Sequence, residues 1–215
     1  MKNYRTILFD LDGTLIDSTE AILESFGHSF GVFGLENPAD EKITAEIGHP
    51  LDRMFLSLGV SEDDVWDYVD TYKAYYRKIS RKKTTLLPGA REAVQKAFEA
   101  GRVGVVTTKT AKFSVELLEH MGLMRYFEVL IGREDVEFPK PHPEPVLKAV
   151  SVMQADKKHC WMIGDTCMDM HAARDAGVTG IGVTSGYGSK KELLGCSAFL
   201  ADNALSAVTY ILTAP

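Results

Sequence analysis

The chain has 215 residues, enough for one large domain or a domain carrying an insertion, and enough to bury a sizeable core. Its apolar content of 45% and charged content of 25% are those of an ordinary globular protein. A formal charge of −6 argues against a nucleic-acid or anionic-membrane partner, because either needs a basic face. Lys78, Arg81, Lys82 and Lys83 form the one tight basic cluster. No apolar run reaches the roughly 18 residues that a bilayer span requires. Cys160, Cys167 and Cys196 are odd in number and lack paired-ligand spacing. That leaves a disulfide and a free thiol both open, and favours a reducing compartment. Met1-Lys2-Asn3 runs straight into the first apolar stretch without a leader pattern, so the expected location is cytoplasmic.

The first expected element is a strand, Thr6-Ile7-Leu8-Phe9, which meets Asp10-Leu11-Asp12-Gly13-Thr14 at its carboxyl end. Asp17-Ser18-Thr19-Glu20 has the form of a capping box, with Asp17 as the capping acid. Ala21, Ile22, Phe26 and Phe30 follow at helical spacing up to Gly31 and Gly34. Further helical patterns cover about 39–47, 50–58 and 61–80, and Glu62, Asp63 and Asp64 sit where the helix dipole favours acids. No strand is expected in this stretch. Leu86-Leu87-Pro88-Gly89 ends it, with Pro88 suited to opening a new helix.

From there helix and strand alternate. Helix 89–100 precedes strand 102–107, helix 111–121 precedes strand 127–131, and helix 143–153 precedes strand 160–164. Helix 167–176, strand 178–183, a strand near 197–200 and helix 203–213 complete the chain. Such alternation predicts a parallel sheet flanked by helices. The simplest architecture is an α/β core of 1–16 joined to 87–215, with an all-helical insertion at 17–86 that forms a lid over the end of the first strand.

In a parallel sheet the segments just after each strand gather on one edge. Here they carry Asp10 and Asp12, then Thr107-Thr108-Lys109, then a loop with Lys140-Pro141-His142-Pro143, then Gly164-Asp165 with Asp169 four residues on. Three carboxylates in one pocket repel unless a divalent cation neutralises them, and an all-oxygen site suits Mg²⁺. A lysine and a hydroxyl beside that cation are what a transferring phosphoryl group needs, and a carboxylate can serve as its nucleophile.

Those four motifs, in that order and each after an apolar run, resemble the phosphatases of the haloacid dehalogenase superfamily over essentially the full length. The resemblance implies a Rossmann-like parallel sheet with an inserted helical cap, and Mg²⁺-dependent hydrolysis of a small phosphorylated metabolite through an aspartyl-phosphate. It implies Asp10 as nucleophile and metal ligand. Asp12 would be acid and base, its carbonyl on the metal. Thr107 would donate to the phosphoryl oxygens, with backbone N–H groups near Leu11, Asp12 and Thr108 completing that site. Lys140 would offset the shared negative charge, Asp165 would bind the metal directly, and Asp169 would hold a metal-bound water or support Lys140. An acid at Asp12 favours hydrolysis of a phosphate over dehalogenation or phosphonate cleavage.

The insertion point resembles the caps of phosphoglycolate phosphatases, β-phosphoglucomutases and bacterial pyrophosphatases, and Thr14 leans away from the mutases. Phosphoglycolate phosphatase-like hydrolysis is the leading expectation, with pyrophosphate, sugar phosphates and nucleotides as alternatives. Ile47-Gly48-His49-Pro50-Leu51 resembles a substrate-facing cap loop, in which Gly48 allows close approach and His49 or Arg53 meets the leaving group. The same residues also read as a plain helix break. Tyr72, Tyr75, Tyr76 and Ile79 are expected as cap packing, and Lys73 and Arg77 as solvated helix charges. A phospho-acceptor switch or a non-catalytic binding protein is the contrasting class. Asp12 speaks against the first, because it would hasten hydrolysis, and the intact motifs give the second no support. Both monomer and homodimer remain open.

Overall fold

The computed structural model describes residues 5–213. β1 (Arg5–Phe9) is covered on both faces, so Ile7, Leu8 and Phe9 are all buried and the run reads as continuously apolar rather than alternating. The chain then turns through Gly13, whose φ of +80° lies in the left-handed region that favours glycine. A short strand, β2 (Ile16–Asp17), follows. Four helices come next: α1 (Thr19–Val32), α2 (Asp40–Ala45), α3 (Leu51–Ser57) and α4 (Val65–Lys83). β3 (Thr85–Leu86) pairs antiparallel with β2 and ties the two ends of this helical excursion together. This ribbon corrects the expectation of no strand before residue 87. Two residues a side carry no readable alternation, and their partners are far apart in the chain.

The remainder alternates as expected: α5 (Ala90–Ala100), β4 (Gly101–Val106), α6 (Ala111–His120), β5 (Val129–Ile131), α7 (Glu144–Val152) and β6 (Cys160–Gly164). α8 (Cys167–Ala176), β7 (Thr179–Val183), α9 (Lys190–Cys196), β8 (Phe199–Ala201) and α10 (Ala204–Thr213) follow. Six strands form one parallel sheet in the order β5-β4-β1-β6-β7-β8. β1 is central, with later strands added first on the β4 side and then on the β6 side, so the crevice where direction switches opens at its carboxyl end. The helix α9 was not foreseen. Ser189 and Glu192 form a reciprocal capping box at its start, a signal present in the sequence ahead of only one apolar pair, Leu193-Leu194.

One apolar cluster lies on each face of the sheet, and the four helices hold a third. That third cluster is aromatic: Phe26 sits 4.5 Å from Phe55 and 5.1 Å from Tyr72, ring centre to ring centre. Tyr72 and Tyr76 are buried in it, as helical spacing predicted. Phe113 of α6 joins the same cluster, which anchors the helices onto the sheet's own layer. Among the described residues no helix is long and apolar enough to cross a membrane. Cys167 and Cys196 are joined as a disulfide and Cys160 is a buried free thiol.

The start of α1 departs from expectation. Ser18, not Asp17, occupies the N-cap, and its hydroxyl makes no cap bond but donates to Asp12 Oδ1. Asp17 turns locally to accept from Thr19, and Glu20 pairs with Lys83 at 2.7 Å instead of closing a capping box. A hydroxyl beside a carboxylate gains more from that charged acceptor than from capping a backbone N–H.

Candidate active site

The edge of the sheet assembles the site from backbone geometry. The Asp10 N–H donates to Ile163 O at 2.8 Å, which carries the β1–β6 ladder one residue further and sets the Asp10 side chain at the strand's end. Thr107 follows β4 in the same way, its N–H on Ile131 O at 2.9 Å. Asp165 follows β6, and Asp169 lies in the first turn of α8. Lys140 reaches in from the loop after β5 and is buried. Its ammonium lies 2.8 Å from Asp10 Oδ1 and 3.1 Å from Val106 O, and it donates to Asp169 Oδ1 at 2.5 Å.

Each acid is held by its own partners. The other Asp169 oxygen accepts from the Thr166 N–H at 3.1 Å and the Thr166 hydroxyl at 2.8 Å, so one carboxylate caps α8 and binds Lys140 at once. Asp165 accepts from the Thr14 hydroxyl at 3.2 Å and from the Tyr187 N–H at 2.8 Å. Asp165 and Asp169 have no solvent exposure. Oxygens of Asp10, Asp165 and Asp169 all lie within 4.8 Å of one another.

Burial governs the charges here. It pushes the Asp10 carboxyl up to about 7; Lys140 pulls against it and Asp169 adds to it. Asp165 is also raised, first by burial and then by repulsion from Asp10 and Asp169. Burial opposes the Lys140 charge, but Asp10 and Asp169 outweigh it and its pKa goes up. Three buried carboxylates against one ammonium leave a surplus of negative charge. Asp10 Oδ1, although beside Lys140, has no aligned hydrogen-bond donor. An all-oxygen set of this kind, with one undersatisfied oxygen, fits a hard divalent cation.

Asp12 stands apart from that set. Beyond the Ser18 hydroxyl, it meets Lys109 Nζ at 3.0 Å through Oδ2 and 3.1 Å through Oδ1. The Lys109 ammonium also sits 4.8 Å from the centre of the Tyr76 ring. Burial works against its charge, yet Asp12, Tyr76 and Tyr72 together raise its pKa well above the usual lysine range. Lys109, Ser18, Thr14 and Tyr187 are contacts that the sequence did not single out as site residues. Lys109 lies within the quoted Thr-Thr-Lys run, but nothing local shows which acid it meets.

The helices wall a cavity of about 290 Å³ whose floor includes Asp10, Asp12, Thr107 and Thr108. Leu11 is buried beneath, its carbonyl accepting from the N–H groups of Leu15 and Ile16. The Thr108 hydroxyl donates to Gly48 O at 2.7 Å, a direct tie between sheet and helices. Gly48 has φ +111°, and a Cβ there would meet the Met168 side chain of α8 at 2.8 Å. His49 is exposed and lines the cavity. Arg53 does not: it is exposed in an adjoining groove with Pro139 and Pro141, which His49 and Lys140 also line. Lys73, expected as a solvated charge, is half-buried and lines the cavity, while Arg77 lies 5.4 Å over the Phe113 ring.

With this geometry in view, the chain proves to have close relatives. Residues 7–183 match the haloacid dehalogenase-like hydrolases, and the chain belongs to that family. Its relatives are phosphatases. It is 35% identical over 185 residues to the pyrophosphatase PpaX of Anoxybacillus flavithermus, covering 84% of each chain. It is 31% identical over 195 residues to the phosphoglycolate phosphatase of Nitrosococcus oceani, covering 87% of each. Among solved structures, a haloacid dehalogenase-like family hydrolase from Streptococcus pneumoniae superposes with a TM-score of 0.87 at 26% identity, over 98% of this chain and 99% of that one.

Proposed function

We propose that this hydrolase cleaves a small phosphate monoester by transferring the phosphoryl group to Asp10. The observation that carries the reading is the buried Asp10 carboxylate, 2.8 Å from the Lys140 ammonium and with oxygens within 4.8 Å of two further buried acids. Asp10, Asp165 and Asp169 would hold Mg²⁺, with the Asp12 carbonyl. When bound, the ion supplies positive charge to the carboxylates and the phosphoryl oxygens.

The remaining steps belong to the chain. Asp10 attacks phosphorus, the bond from phosphorus to the leaving oxygen breaks, and Asp12 gives that oxygen a proton. The Asp12 carboxylate then takes a proton from water as the water attacks the aspartyl-phosphate, which frees Asp10 and releases phosphate. Thr107 and the N–H groups near Leu11, Asp12 and Thr108 donate to the phosphoryl oxygens, and Lys140 offsets their charge. Residues 17–86 act as the cap domain on a core of 1–16 and 87–215, excluding water when substrate is bound. A cytoplasmic setting is part of this reading, and there Cys167 and Cys196 would stand as two thiols.

The test is release of p-nitrophenol from p-nitrophenyl phosphate with Mg²⁺. Asp10→Asn and excess EDTA should each abolish it. Full activity under either condition would remove the mechanism. Phosphoglycolate and pyrophosphate enter as substrates to assay because the relatives' names carry them.

A further inference from the structure

We infer that the leaving group this site accepts carries a flat, largely apolar ring. This rests on the proposed phosphomonoester hydrolysis and names the substrate class for it. The argument starts from α4. Trp66, Val69, Lys73 and Tyr76 recur at three- and four-residue steps and so share one face of that helix, with Tyr72 alongside, and all of them line the cavity. Ile47, Leu51 and Phe113 line it from the other walls. Above the acidic floor the cavity is therefore predominantly apolar and aromatic.

Charge points the same way. A two-carbon acid or a second phosphate would bring further negative charge, and needs free cations beside it to offset its desolvation. The lining cations are Lys73, Lys109 and Arg133, against the anions Asp10, Asp12, Asp52 and Glu134. Lys109 is committed to Asp12 at 3.0 Å, and the Arg133 guanidinium donates to Val136 O at 3.1 Å. Lys73 alone among these three has no ion-pair or hydrogen-bond partner among the described residues. The Arg133 bond is to a neutral carbonyl and leaves its charge unpaired, but Asp52 and Glu134 line the same cavity against Lys73 and Arg133, so the lining offers no net positive charge to a second anion.

Trp66 supplies the third observation. It lines the cavity yet is 60% exposed, a large ring at the mouth with most of its surface uncovered. A flat ring seated against Trp66 would bury that surface and gain stacking. Nucleobases and simple aryl groups share this chemistry, and ring-free partners with matched leaving alcohols separate the two sources.

The experiment compares kcat/KM for a nucleoside 5′-monophosphate against ribose 5-phosphate, and for benzyl phosphate against ethyl phosphate, with phosphoglycolate and pyrophosphate alongside. The expected result is an advantage of about tenfold or more for the ring-bearing member of at least one pair, the scale of an aromatic contact with its burial. The pair showing it identifies nucleobase or aryl as the source. Trp66→Ala should cut that advantage about tenfold through KM, and its exposed position makes a folding defect unlike this readout. Equal rates within both pairs, or phosphoglycolate or pyrophosphate leading all of them, would overturn this inference while leaving the phosphatase reading intact. No Mg²⁺-dependent hydrolysis of any monoester would overturn the phosphatase reading, and this inference with it.

Discussion

Replacing Lys140 by methionine keeps an unbranched side chain, one atom shorter, and removes its charge. In the wild type the ammonium lies 2.8 Å from Asp10, donates at 2.5 Å to Asp169, and meets Val106 O at 3.1 Å, all buried. Removing it strands two buried carboxylates, and breaking a buried pair in this way costs about 3–5 kcal/mol. At roughly 2–4 °C per kcal/mol for a chain of this size, the melting temperature of Lys140→Met should fall by about 6–20 °C without metal at pH 7.5. The pH dependence has a definite sign. Lys140 has a raised pKa in the folded protein, so its contribution is complete below the ordinary lysine value and is lost only as pH rises through the higher folded value. In the variant the stranded carboxylates can escape the penalty by protonation, so the gap to wild type should shrink as pH falls toward 5. Turnover should drop by at least about a hundredfold, the scale of losing one preorganised electrostatic group. Thermal melts at the two pH values, with phosphate release at pH 7.5, test both parts. A variant that melts with the wild type and turns over at its rate would show that the ammonium neutralises nothing there.

Two further outcomes follow from the acidic set. Asp10 is raised from 3.8 to about 7 and Asp165 is also raised, so the metal-free folded state holds protons that the unfolded state has released. Metal-free stability should therefore decline as pH rises through that window, and Mg²⁺, which needs the carboxylates ionised, should stabilise more at pH 8 than at pH 5. At a hundred times Kd the gain is about 2.7 kcal/mol, or roughly 5–10 °C in a melt, and an equal shift at both pH values would contradict it. Separately, a Cβ on Gly186 would sit 2.1 Å from Asp165 Oδ2, whereas one on Gly195 would meet nothing within 4 Å. Gly186→Ala should weaken Mg²⁺ binding, measured by calorimetry, by about 10–100-fold, the range for disturbing a ligand's supports, while Gly195→Ala binds as wild type. Matching affinities in the two variants would argue that Asp165 is no ligand.

The part of the site that was legible in the sequence is the part set by backbone geometry. Asp10, Thr107 and Asp165 each follow an apolar run, and a parallel sheet delivers every such strand end to one edge, so their meeting needs no knowledge of side-chain packing. Side-chain partnerships were not legible, because each depends on distant neighbours. Ser18 could cap α1 or serve Asp12, and only the fold shows the carboxylate within reach. Lys109 lies ninety-seven positions from Asp12, and what brings them together is β4 standing next to β1. Arg53 shows the same limit from the other side. His49 and Arg53 are four apart and would share a face if one helix held both, but α3 begins only at Leu51. His49 lies before the helix and faces the cavity. Arg53 sits on the helix between Asp52 and Met54, which line the cavity, and points to the groove by Pro139. The register of a helix start, one turn early or late, decides which side chain lines the cavity. Strand ends therefore disclose which core side chains meet, while the residues that line the cavity above them depend on how α3 and α4 seat against the sheet.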